Sequence, residues 1–174
     1  SNQGAFVCPT HREIVKKKMG STLKNGPLWS YVVNADFGWM YKSDPFIWAP
    51  SQQFDKLRRL DRKLLLAELP FLDLKQGGAA VQTPVFETKG KKENDPILHY
   101  ANCAGGGDEI IGFNHRMNKR EVFAHVCYAD GHTEKLRLPK SPSTSNLRDL
   151  TKWLCKTTDD RGKQIDVAFD GRGY

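Results

Sequence analysis

The stretch from Pro96 to Leu138 constrains the fold of this chain more than any other, because it breaks into four short apolar segments separated by Gly- and Asn-rich turn signals. Segments of this length, rich in β-branched and aromatic residues and bounded by such turns, read as strands. The spacing predicts strands over 97–103, 109–114, 120–129 and 132–138 in a consecutive meander. The same stretch carries His99, His115, His125 and His132, four of the five histidines in the chain. Residues along a strand alternate between faces, so Phe123, His125 and Cys127 share one side. Asp130-Gly131 is a tight-turn signal that sets His132 beside the preceding strand. The expectation is that His99, Glu109, His125 and His132 approach one another on this sheet.

The flanking regions supply helices. Thr10-His11-Arg12-Glu13 fits a capping box and predicts a helix over 10–19, closed by Gly20. Residues 28–34 and 38–42 read as two strands around a turn. Phe54, Leu57, Leu60 and Leu64 recur at three- and four-residue steps, which predicts a longer helix at about 51–69 that ends before Pro70. Lys75 to Val81, with Gly77-Gly78, reads as a loop. Ser145 caps a helix over 145–156 with Leu147, Leu150 and Leu154 on one side, and the alternation of Ile165, Val167 and Phe169 predicts a further strand. The chain is expected to be a single α+β domain over 1–174, with an antiparallel central sheet and a flexible C-terminal end at 170–174. At 174 residues it is long enough to bury roughly 70% of the surface its unfolded form exposes.

Charge and cysteine usage narrow the function classes. A formal net charge of +7 attracts polyanions at long range, so RNA or an acidic host protein is the expected partner. Lys56, Arg59, Arg62, Lys63, Lys89, Lys91, Lys92, Arg116 and Lys119 are the candidate contacts to nucleic acid. No apolar run approaches the ~20 residues of a bilayer span, so no membrane span is expected. The four cysteines suit two disulfides in a secreted protein and equally suit buried thiols in a cytoplasmic or nuclear one. None has the spacing of a zinc knuckle or finger, and no metal or small-molecule cofactor is expected. Nucleophile-elbow, zinc-hydrolase, phosphate-loop and calcium-loop motifs are absent from the sequence. What remains chemically sufficient is metal-independent RNA cleavage, which needs a base, an acid and a cation for the phosphorane. His99, Glu109, His125 and Arg120 can fill those roles.

A family resemblance bears on this choice. Asn94-Asp95-Pro96-Ile97-Leu98, the Gly-rich loop, Asp108-Glu109-Ile110-Ile111-Gly112-Phe113-Asn114 and Val122-Phe123-Ala124-His125-Val126 are similar to the order of core strands in small secreted fungal guanyl-specific ribonucleases. The resemblance implies an N-terminal helix packed on an antiparallel sheet. Carried over by position, the catalytic glutamate of that family falls on Asn94, its arginine on Glu109 and its late histidine near Tyr128. The helices expected at 51–69 and 145–156 also depart from that compact fold. The resemblance therefore implies a catalytically silent relative, similar to the ribonuclease-like effectors of plant-pathogenic fungi: a secreted virulence protein that binds through its surface. The sequence thus favours a basic, non-enzymatic binding domain, with a His/Glu/Arg ribonuclease as the alternative.

Overall fold

A computed structural model of the chain describes residues 7–19, 29–38, 59–84, 97–98, 109–117 and 121–156. These residues form an α+β arrangement. In chain order they comprise α1 (Pro9–Met19), β1 (Tyr31–Asn34), α2 (Ala35–Gly38), a 3-10 turn (Leu60–Arg62), β2 (Leu64–Glu68), β3 (Leu74–Gln76), β4 (Ala79–Gln82), β5 (Ile97–Leu98), β6 (His115–Met117), β7 (Glu121–Tyr128), β8 (Thr133–Arg137) and α3 (Thr144–Cys155). Six strands make one sheet, and β3 and β4 make a separate hairpin.

The long strand β7 organises the sheet. Phe123 pairs with His115 of β6 and also with Arg137 of β8, and Val126 pairs with Ala67 of β2 and also with Glu134 of β8. Each strand has two edges, so β8 occupies one edge of β7 while β2 and β6 lie end to end along the other. On the far side of β2 comes β1, antiparallel, and β5 pairs parallel to β1. Of the expected meander only the β7-β8 pair forms as read; β6 lies just beyond the expected 109–114 strand, and β5 has left for the opposite side of the sheet. Residues 109–114 are irregular rather than a strand. They run past β2, with the Gly112 N–H donating to the Glu68 carbonyl at 2.7 Å.

One face of the sheet is the core. Val32, Leu64, Ala67, Ala124, Val126 and Tyr128 pack there against Leu147, Leu150 and Leu154 of α3. That helix begins at the Ser143 cap, whose side chain accepts from the Asn146 N–H at 3.1 Å. Its leucines follow the three- and four-residue steps of the sequence, so the expected helix at 145–156 forms.

The helix expected at about 51–69 does not form over the described part of that range. Residues 60–62 are a 3-10 turn and 64–68 are a strand. The register against β7 shifts between Leu64 and Leu66, where an irregularity inserts one residue. As a result Leu64 and Ala67, three apart, point to the same core face, which imitates helical spacing. Lys63, expected on a nucleic-acid-binding surface, is 2% exposed, because it enters β2 and its carbonyl accepts from Ala129. The loop expected at 75–81 is the β3-β4 hairpin, turned by Gly77 and Gly78 with positive φ. The strands expected at 38–42 and 163–169 and the C-terminal end lie outside the described residues, except that Gly38 closes α2. Among the described residues no helix is long and apolar enough to cross a membrane. Among the described residues Cys8, Cys127 and Cys155 are free thiols, and Cys103 lies outside them.

Candidate functional site

The opposite face of the sheet carries the polar residues. Tyr31 pairs with Glu68, His115 with Phe123, His125 with Lys135 and Phe123 with Arg137, and paired residues share a face. The β2-β7 register continues from Ala67 and Val126 to bring Glu68 opposite His125. Tyr31, Glu68, Phe123, His125, His115, Lys135 and Arg137 thus project from one surface.

Glu68 is its centre. The residue is fully buried, and an ionised carboxylate is expensive to bury unless hydrogen-bonded. Its Oε1 lies 2.7 Å from His115 Nε2 and 3.5 Å from His125 Nδ1. Asn114 Nδ2 lies 3.4 Å from Oε2 and donates to the Leu69 carbonyl at 2.8 Å. The Tyr31 phenol also meets Glu68 and Cys8. Burial, then the charges of Glu68 and Cys8, push it above the usual phenol range. The rings of His115 and His125 are 4.5 Å apart, and His115 also stacks on Phe123 at 5.4 Å. Exposure rises outward, from 0% for Glu68 through 17% for the His115 side chain to 44% for His125.

The start of α1 covers the inner end of this cluster. The Cys8 N–H donates to Ser30 Oγ at 2.8 Å, and His11 Nδ1 lies 2.8 Å from the same hydroxyl. His11 stacks on Phe71 at 4.5 Å, and burial lowers its pKa to about 4, against a smaller upward pull from Glu68. His11 Nε2 is buried with no hydrogen-bond partner among the described residues. Cys8 Sγ, a Glu68 carboxylate oxygen and a His115 ring nitrogen all lie within 4.8 Å of one another. These groups can hold a cation.

Of the two expected catalytic residues that are described, His125 is in this cluster and Glu109 is not among its contacts. His99 and Arg120 lie outside the described residues. Glu109 is half-buried at the start of the irregular stretch, and the carboxylate beside His125 is that of Glu68. His132 bonds Asp130 at 2.6 Å and stacks on Tyr128 at the β7-β8 turn. Among the candidate nucleic-acid contacts, Arg116 is exposed on β6, while Arg59 and Arg62 both pair with Asp61. Lys56, Lys89, Lys91, Lys92 and Lys119 lie outside the described residues. Sequence reasoning missed Glu68, His115 and Cys8 as site residues. The available signals were the alternation of His115 with Met117 and the consecutive apolar run before Glu68, which suits a buried strand as well as a helix.

A concavity of about 530 Å³ lies between the 3-10 turn, β8 and α3. Its polar lining includes the Tyr128 hydroxyl, already donating to Glu134 at 2.8 Å, so it gathers no comparable cluster.

No family model matches the chain, and no curated protein or solved structure matches it either.

Proposed function

We propose that the protein is a basic, non-enzymatic binding domain that takes single-stranded RNA on the polar face of its sheet. The observation that carries this reading is the exposed His125 ring beside Lys135 and Arg137 on the β7-β8 ladder. Lys135 Nζ sits 5.1 Å from the Phe123 ring centroid, and the Arg137 side chain is 75% exposed. An open antiparallel sheet that offers rings for base stacking and cations for phosphate is a recurring way to hold single strands. The net charge of +7 supplies long-range attraction.

The geometry favours binding over cleavage. In-line attack at phosphorus needs a base and an acid on opposite sides of a phosphate, each touching the substrate. Among the described residues, His115 and His125 are in ring contact and the Glu68 carboxylate is buried, an arrangement that suits binding better than an acid and a base on opposite sides of a phosphate.

Anisotropy of labelled single-stranded RNA in chelator tests the proposal, comparing the full chain with a Lys135→Glu/Arg137→Glu double variant. The expected result is saturable binding weakened at least about tenfold by the two changes, with the RNA intact across about pH 5 to 8. Absent binding, or equal binding by the double variant, would overturn it, and an acidic protein would become the partner to seek. Cleavage lost in His125→Ala would replace it with the ribonuclease reading.

A further inference from the structure

We infer that Cys8, Glu68 and His115 form a site for one divalent transition-metal ion of the zinc class, with His125 as the fourth donor. The three elements that supply the ligands are distant in sequence. Cys8 immediately precedes α1, Glu68 ends β2 and His115 opens β6. They meet because β2 and β6 lie end to end along β7 while the start of α1 covers their junction.

The donor set and spacing fit such an ion. Thiolate, imidazole and carboxylate together are zinc-class ligands, whereas calcium and magnesium take oxygen alone. Bonds of about 2.0–2.3 Å at tetrahedral angles separate donors by about 3.3–3.8 Å. The three atoms here all lie within 4.8 Å of one another, so about an ångström of contraction suffices. His125 Nδ1 lies 3.5 Å from Glu68 Oε1 but outside the set of three, so its partly exposed side chain must turn inward to complete the four. On binding, the His115–Glu68 hydrogen bond opens to admit the ion, and the Cys8 thiol gives its proton to solvent as the sulfur–metal bond forms.

Outer contacts hold the ligands. The Cys8 backbone is tied to Ser30, the Glu68 backbone to Gly112 and the His115 ring to Phe123, the kind of support that orients metal ligands. Burial also separates this reading from a thiol nucleophile. Cys8 is 4% exposed, too deep for a bulky substrate to reach its sulfur but not for a single ion. A bound ion would fasten α1 to the sheet, which the described structure otherwise does through Cys8, His11 and Ser30.

The test uses the full chain, reduced and stripped with chelator, and then titrated with Zn²⁺ by calorimetry and with Co²⁺ by absorption. One equivalent is expected, with a thiolate-to-cobalt charge-transfer band, tetrahedral visible bands and a higher thermal midpoint. Cys8→Ser should abolish the charge-transfer band and weaken Zn²⁺ binding at least about tenfold, with circular dichroism confirming its fold. Cys127→Ser and Cys155→Ser should keep the band. His125→Ala should weaken binding and shift the visible bands towards an open site. A wild-type chain without the band, a band that survives Cys8→Ser, a spectrum unchanged in His125→Ala or uptake unchanged in denaturant would each overturn the assignment. None of these readouts depends on RNA.

Discussion

Two buried residues around Glu68 show how single side chains set the site. Gly112 passes so close to β2 that a Cβ on it would sit 2.3 Å from the carbonyl carbon and oxygen of Leu69 and 2.5 Å from the nitrogen of Pro70. Those are backbone atoms that cannot swing aside. Gly112→Ala is expected to cost about 3 kcal/mol or more in urea unfolding and to displace the N–H that holds the Glu68 carbonyl. His11 gives a pH dependence. In the unfolded chain its imidazole takes a proton near its ordinary value of 6.5, but in the folded chain only near 4. Below 6.5 the unfolded state therefore binds the extra proton, and stability present at neutral pH is lost as pH falls towards 4. The expected loss from this one group is about 2 kcal/mol between about pH 7.5 and pH 5. His11→Phe keeps a ring against Phe71 and removes the titration. Unfolding free energies from denaturant titrations at the two pH values should differ by about that amount less in the variant than in the wild type, and equal pH dependence would remove His11 as the cause.

At the scale of elements, β2 is where local pattern and tertiary structure diverge. The step from Leu64 to Ala67 matches a helix because one inserted residue at the irregularity changes an alternation of two into a step of three. Nothing in the sequence marks the insertion, which exists only relative to the partner strand β7. The helix α3, in contrast, was readable because its leucine stripe is local, although its cap is Ser143 rather than the expected Ser145. It also reaches towards the site. Thr151 donates to the Leu147 carbonyl at 2.7 Å and accepts from the Ile111 N–H at 3.0 Å, thereby holding the irregular segment that leads through Gly112 to His115. Thr151→Val preserves shape but leaves a buried N–H without its acceptor. A loss of about 2 kcal/mol is expected, along with faster amide exchange at Ile111.

For the whole molecule, a formal charge of +7 is a property of the sequence, but which cations face the same way is a property of the sheet. Single-strand binding releases about 0.7 counterion per phosphate contact. Replacing both Lys135 and Arg137 should make the slope of log affinity against log salt shallower by about 1.4, whereas an unchanged slope would place the phosphates elsewhere. Neither residue stood out in the sequence, since β8 reads as an ordinary alternating strand. The α+β class, the helices at the two ends of the described chain, the hairpin at Asp130-Gly131 and the placement of His125 on a strand were all determined by residues within a few positions of one another. Caps, turns and periodicity act over that range. The partnership of Glu68 with His115 and His125, its approach to Cys8, the burial of Lys63 and the departure of β5 to the far side of the sheet were decided only by tertiary structure. Each depends on strand order and register, which follow from how the apolar faces close on one core rather than from any local preference.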